Sequence, residues 1–425
     1  MGFVVLRILC FFAVLLMLSG TGFASILGDK LYDRYEIEVN GFVEFRQGVR
    51  LQDDPNEKGA SISEARLQLE LSRSFDWGML KVKGDLVDDL VRSQGQAALR
   101  ELHLSLSPLD FLDVKIGRQV LTWGTGDLLF INDLFPKDWE SFFIGRDDAY
   151  LKSPSDAVKL SFYFDVANVD IVTSPLANPS VYIDGTRLSY WNGLLGRRAG
   201  RDFIFSDHDR NRFFTDGETS IRVFKNIAGA EVALYGYHGF WKTPEGVDPV
   251  ATRLFYPDLT AYGAGVRLPV FGGIGNVEIG YYDSSDDSEG DDPLVRNSEF
   301  RFLAGFEREI ARDFTGGFQY YLEWMDNYDA YRQSIGAQPA KDEFRHLFTL
   351  RLTKQMMNQN LKLTLFTYYS PSDQDAYLRP NVHYKVTDNW AAEVGANLFF
   401  GEENHTFFGQ FEDNTNMYVG GRFSF

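Results

Sequence analysis

The chain has 425 residues and a formal net charge of −18 at pH 7, a balance that argues against nucleic-acid binding. Its one cysteine, Cys10, excludes a disulfide framework and a thiolate metal site. Aromatic residues make up 15% of the chain, with 37 Phe and 21 Tyr, which suits a secreted soluble protein as well as a membrane protein, so spacing has to decide.

At the N-terminus Arg7 precedes an eleven-residue apolar run, Ile8 to Leu18, followed by small residues up to Gly22-Phe23-Ala24. This is the pattern of a secretory signal peptide, and cleavage is expected after Ala24, leaving a mature chain 25–425. The alternative, an uncleaved anchor, is disfavoured because eleven apolar residues are too few to span a bilayer. Removing residues 1–24 removes Arg7 and takes the charge from −18 to −19.

Beyond a short lead at 25–34, two-residue alternation recurs almost to the end. Leu67, Leu69 and Leu71 oppose Arg66, Gln68 and Glu70; Phe300, Phe302 and Phe306 oppose Arg301 and Glu307; Leu361, Leu363 and Leu365 oppose Lys362 and Thr364. Period two places each set on one face of a strand. Strands are predicted at 35–49, 61–75, 79–88, 97–109, 113–123, 157–165, 169–175, 218–226, 228–239, 259–269, 275–283, 298–309, 314–325, 343–356, 361–369, 375–386, 390–401 and 416–425.

Alternation alone fits a water-soluble sandwich or a membrane barrel, and three features favour the barrel. Short turns (Asp76-Trp77-Gly78, Asp110-Phe111-Leu112, Ala311-Arg312-Asp313, Thr387-Asp388-Asn389) alternate with long connections at 124–156, 176–217, 240–258 and 284–297. Trp77 and Trp390 flank short turns, whereas Trp123, Trp324 and Phe400 mark the opposite strand ends, as two interfacial girdles require. The last strand alternates to Phe425 and resembles the C-terminal signal that the barrel-assembly machinery reads. The expectation is an all-β, transmembrane antiparallel β-barrel of about 18 strands in the outer membrane, with short periplasmic turns and long extracellular loops. Lipid and lipopolysaccharide are then its surroundings, and closure satisfies every strand edge.

The polar faces give a lumen of both signs. Its basic positions are Arg46, Arg66, Lys81, Lys83, Lys115, Lys159, Arg222, Arg267, Arg301, Arg345, Arg351, Arg379, Lys385 and Arg422. Its acidic positions are Glu36, Glu38, Glu44, Glu64, Glu70, Asp85, Glu101, Asp170, Glu231, Glu278, Glu299, Glu307, Glu323 and Glu393. A hydrated path for polar solutes and mutual pairing of charges both fit these lists.

The stretch after the fifth strand runs from Gly117-Arg118-Gln119 through Trp123-Gly124, Asp127-Leu128-Leu129-Phe130-Ile131-Asn132, Phe135-Pro136-Lys137-Asp138-Trp139 and Ser141-Phe142-Phe143-Ile144-Gly145-Arg146 to Asp156-Ala157-Val158-Lys159-Leu160. So long and apolar a loop is expected to fold inward and narrow the passage. Gly117-Arg118-Gln119, Trp123-Gly124 and Asp156-Ala157-Val158-Lys159-Leu160 resemble the alginate-export type of outer-membrane porin. That resemblance covers about fifty residues. It implies an eighteen-strand barrel, a structural or pore-lining Arg118 and Gln119, an Asp156 facing the loop base, and export of an anionic polysaccharide. The family's excess of luminal arginine is absent here.

The residues expected at the pore lining or constriction are Arg118, Gln119, Asp127, Asp133, Asp138, Asp147, Asp148, Lys159, Arg301, Arg351 and Arg422. No cofactor and no metal ligand set is expected. The run 283–292 holds six acids, but its spacing departs from an EF-hand loop, so a solvated extracellular loop, or one whose acids bridge lipopolysaccharide phosphates through divalent ions, is expected ahead of a specific Ca²⁺ site. Arg197, Arg198 and Arg201 could meet phosphate or polysaccharide, or simply the protein surface. No G-x-S-x-G, H-E-x-x-H or P-loop occurs, and His103, His208, His238, His346, His383 and His405 are scattered, so an enzyme is not expected. The reading is a channel for small polar or anionic solutes. The alternatives are a polysaccharide exporter and a sheath around a periplasmic partner.

Overall fold

Between residues 64 and 71, Glu64, Arg66 and Gln68 are buried while Leu69 and Leu71 are exposed. This inversion of the soluble pattern, polar inside and apolar outside, is what a barrel in lipid demands. In the computed structural model, which describes residues 22–207, 210–336 and 339–425, it repeats around the whole wall. Residues 1–21 of the expected signal segment, and His208, lie outside the described residues.

Eighteen strands form one antiparallel sheet: β1 (Ile37–Arg50), β2 (Ala60–Phe75), β3 (Gly78–Asp89), β4 (Gln94–Leu109), β5 (Leu112–Val120), β6 (Pro154–Tyr163), β7 (Asn168–Ser174), β8 (Glu218–Ile227), β9 (Ala230–Phe240), β10 (Asp258–Val270), β11 (Gly273–Ser284), β12 (Glu299–Ala311), β13 (Phe314–Met325), β14 (Phe344–Met356), β15 (Leu361–Ser370), β16 (Asp375–Lys385), β17 (Trp390–Gly401) and β18 (Asn416–Ser424). Each strand pairs with the next, and β18 returns to β1 in a register running from Phe42↔Ser424 to Arg50↔Asn416. The sheet is closed, so no strand presents an unpaired edge to lipid. A helix, α1 (Gly22–Tyr35), precedes β1 and contains the segment read from sequence as a plain lead.

The connections are asymmetric. At one end, with both termini, they run two to four residues, as at 76–77, 110–111, 228–229, 271–272 and 386–389. Ala228-Gly229 and Phe271-Gly272 have positive φ at both positions, the turn type that matches the twist of a hairpin. At the other end lie seven longer ones, 51–59, 121–153, 175–217, 241–257, 285–298, 326–343 and 402–415, and two of four residues, 90–93 and 371–374.

Trp77, Trp324, Trp390 and Phe400 are exposed on the outer surface, as the girdle pattern requires. Trp123 is not among them. β5 stops at Val120, and Trp123 is buried inside the barrel against Phe135 and Tyr235. The fifth strand is therefore shorter than expected, and the inserted loop is 121–153.

Candidate functional site

The connection 121–153 folds into the lumen. It carries a one-turn helix, α2 (Trp139–Phe143), whose N-terminus is capped by Asp138 accepting from the Ser141 amide at 2.7 Å. Leu129, Ile131, Phe142, Phe143 and Ile144 of the loop form one buried cluster with the wall residues Tyr282, Leu303, Tyr321, Tyr368, Tyr377 and Phe399. Leu121, Trp123 and Phe135 pack with Ala157, Val172, Ala233 and Tyr235 in a second cluster. Burial of each such side chain contributes about 1.5–3 kcal/mol, which explains why so apolar a loop leaves the solvent.

Polar contacts then fix its path. Glu278 of β11 accepts from Thr125 Oγ1 at 2.7 Å, the Gly126 amide at 3.1 Å and Asn132 Nδ2 at 3.0 Å. Gln319 of β13 accepts from the Asp127 amide at 2.7 Å and donates to its carbonyl at 2.8 Å. Tyr368 donates to the Leu128 carbonyl at 2.9 Å and Tyr282 to that of Ile131 at 2.5 Å. Close approach needs glycine at two places. A Cβ on Gly145, which has φ +81°, would meet the Tyr418 ring, and one on Gly263 would meet Asn132 Oδ1.

Three carboxylates of the loop reach three wall arginines. Asp127 pairs with Arg351 (Nη2–Oδ1 2.8 Å), Asp148 with Arg379 (2.9 Å) and Asp147 with Arg422 (2.8 Å). A fourth attachment is more deeply buried. Arg146 grips Glu64 of β2, with Nε–Oε2 at 3.0 Å. Arg187, from the connection 175–217, is wholly buried among Glu64, Asp89 and Glu140. Tyr150 is sandwiched between Arg66 and Arg100, 4.1 and 4.4 Å from its ring centre.

The wall charges mostly pair with one another. Glu44 joins Arg46 and Arg422; Glu70 joins Lys81 and Lys83; Asp170 holds Lys159 at 3.3 Å; Glu323 holds Arg345 at 3.3 Å. Of the fourteen basic positions read from the sequence, Lys115 and Arg267 form no salt bridge among the described residues, although Glu101 is near enough to act on Lys115. Lys81, Lys83 and Lys159 keep about a quarter of their side-chain surface open, so this stretch of wall is hydrated.

Several expected site residues are placed elsewhere. Arg118 turns outward, on the face shared with Leu102 and Ile116, and binds Asp156 at 2.8 Å outside the barrel. Neighbours on a strand face opposite sides, so only Gln119 turns in. Gln119 is itself fully buried and donates to the carbonyls of Gly117 and Ala157, which removes it from any pore lining. Asp133 is buried against Lys137 at 3.0 Å, and Asp138, partly exposed, caps α2; both hold the loop together. Arg301 lies 3.9 Å over the Tyr282 ring and bonds Glu299 at 2.5 Å. Of the remaining expected residues, Asp127 meets Arg351 and Asp147 meets Arg422, while Asp148 meets Arg379 and Lys159 meets Asp170. The sequence reading missed Arg92, Glu140 and Arg187, which lie in connections with no period to mark them. In the acidic run, Asp287 accepts from the amides of Gly290 at 2.9 Å and Asp292 at 3.1 Å, which explains that carboxylate without an ion.

No family model matches the sequence, and no curated protein does. Solved structures do resemble the fold. OccK5 (OpdH) of Pseudomonas aeruginosa shares 8% identity over 91% of this chain and 97% of its own, with a TM-score of 0.56. OccD3 (OpdP) of the same organism shares 10% over 92% and 91%, with 0.54. OccAB3 of Acinetobacter baumannii shares 9% over 92% and 99%, with 0.55. At such identities the likeness shows the fold, a closed barrel of the outer-membrane type.

Proposed function

We propose that the chain is an outer-membrane channel for small polar or anionic solutes, constricted by the connection 121–153. The observation that carries this reading is the inward loop, clamped by Asp127, Asp147 and Asp148 to arginines on three separate stretches of a polar, charged wall. A barrel of eighteen strands encloses a lumen too wide for wall side chains to fill, so an inserted loop sets the bore. Planar-bilayer recording of the purified, refolded protein tests it: discrete openings are expected, and a barrel that never conducts would refute it. The same reading carries removal of residues 1–24 on export, recognition by the barrel-assembly machinery and contact with lipopolysaccharide.

Export of an anionic polysaccharide, the function implied by the resemblance to alginate-export porins, is the second reading. It gains from the register Arg118↔Asp156, which joins the two resembling segments on adjacent strands. It loses because the luminal arginines read from the sequence, Arg267 apart, are engaged by carboxylates. A sheath around a partner protein has less support, since the chain's own loop occupies the lumen.

A further inference from the structure

Outside the constriction, on the long-loop face, lies an open groove of about 480 Å³ lined by Arg92, Gln94, Asp184, Thr186, Arg201 and Ile204. That size suits a small molecule. Both guanidiniums are anchored from behind. Arg92 Nη2 contacts Glu140 Oε2 at 2.5 Å and Thr186 Oγ1 at 2.6 Å. Arg201 Nε contacts Glu57 Oε2 at 3.2 Å, and its Nη2 contacts the Val91 carbonyl at 3.3 Å. These bonds fix the two forks through Nη2 and Nε and leave Nη1 of each arginine without a hydrogen bond among the described residues, whereas Arg92 Nε is buried and closed to the groove.

We infer that this groove is an extracellular receptor site for a small oxyanion, a carboxylate or a phosphate, and that its occupation loosens the constriction. Two positioned guanidinium forks with unspent N–H groups are the geometry that planar or tetrahedral oxyanions require. Thr186 and Gln94 add neutral hydrogen-bonding groups, and Asp184 limits the charge the site accepts. The coupling is direct. Arg92 is also the contact of Glu140, which belongs to α2 of the inserted loop, and Glu140 is in turn beside the buried Arg187 at 3.4 Å. An oxyanion in the groove competes with Glu140 for Arg92, and weakens a bond between the loop and the outer face.

The coupling rests on the channel reading; the binding does not. Gluconate and inorganic phosphate are titrated calorimetrically into the detergent-solubilised full chain, and then added to the long-loop side of a bilayer. Saturable binding of at least one is expected, and the tighter of the two identifies the source. The double variant Arg201→Gln/Glu57→Gln, which removes the cation together with its carboxylate and leaves Asp54 to balance the neighbouring Arg50, should lose about tenfold in affinity, the size of one charge-assisted hydrogen bond. Asp184→Asn should tighten binding, which a purely structural role would not produce. Bound anion should raise the conductance of the parent and not of the double variant. Failure of both anions to saturate, or equal binding by the double variant, overturns the site. Binding with unchanged conductance overturns the coupling. A barrel silent with and without anion refutes the channel while the isotherms still decide the site.

Discussion

Asp127 and Arg351, 224 residues apart in sequence, meet in the lumen with Oδ1 and Nη2 at 2.8 Å, while Gln319 holds both the amide and the carbonyl of the same aspartate. Side chain and backbone of one loop residue are thus fixed to two neighbouring strands, β13 and β14. Asp127→Asn keeps the shape and the backbone bonds but releases the charge of Arg351. Anion preference should rise severalfold, seen as a shift in reversal potential across a salt gradient. An unshifted reversal potential would take this pair out of the conduction path.

The other aspartates of the loop divide by what they touch. Asp147 and Asp148 face wall arginines and remain partly open to water, whereas Asp133 is sealed against Lys137 and Asp138 caps α2. Asp147→Asn and Asp148→Asn are expected to change ion selectivity with little change in melting temperature. Asp138→Asn retains a capping oxygen and should behave like the parent, while Asp138→Ala costs about 1 kcal/mol of loop stability and appears as current noise. A selectivity change from Asp133→Asn or Asp138→Asn of the size seen at 147 and 148 contradicts this division.

Arg187 carries the largest predicted loss of stability. It is completely buried with three carboxylates around it, from β2, β3 and α2, so it ties the connections 121–153 and 175–217 to the wall at once. Arg187→Met removes the cation and leaves Asp89 without an ion-pair partner among the described residues, while Glu64 keeps Arg66 and Arg146 and Glu140 keeps Arg92, a change worth about 3–5 kcal/mol. Thermal unfolding followed by circular dichroism should show the loss, with β-structure unfolding earlier or the inserted loop becoming protease-sensitive first. A parent-like melt with a protease-resistant loop would mean the network contributes nothing.

How far the sequence carried this picture follows from the range of each signal. All eighteen strands were legible because period-two alternation is local and the membrane inverts it consistently. Most inward-facing residues followed from the same parity, Arg351 and Arg422 included. The pairings were not legible: nothing local says that Asp148 meets Arg379, 231 residues on. Arg118-Gln119 was misread because a motif was treated as a unit where strand geometry splits its two members between lipid and lumen. Trp123 was misread for a related reason, since an aromatic at the end of a strand looks alike whether it anchors in the interface or turns inward with a loop. Arg187 and Glu140 lie in connections where no period exists, so only the folded loops reveal them.

Gly145 tests whether the loop is docked as described. It adopts φ +81°, a conformation that costs other residues, and it lies against the Tyr418 ring while its carbonyl accepts from Arg46. Gly145→Ala therefore strains the backbone and pushes Tyr418 away together. The strand pairing of the wall is retained, so the barrel should still fold and migrate in unheated gels as the parent does. The loop should undock, giving larger and noisier openings. Parent-like conductance would place Gly145 in a looser contact than the one described.

The pH dependence of the outer face turns on Glu57, in the connection 51–59. Burial pushes its carboxyl up to about 7, against the opposing pull of Arg50 and Arg201 and with Asp54 adding to the rise. A carboxyl raised on folding binds more protons in the native state, so stability falls as pH climbs from the unfolded value near 4.5 through 7, and the penalty is complete above that. Glu57→Gln imitates the protonated form and keeps an acceptor for Arg201. It should melt like the parent near pH 4 and higher than the parent at pH 8, by about 2–4 °C for each kcal/mol relieved. The ordering matters more than the size. A variant less stable than the parent at pH 8 would show that the ionised carboxylate is worth more to Arg201 and Arg50 than its burial costs.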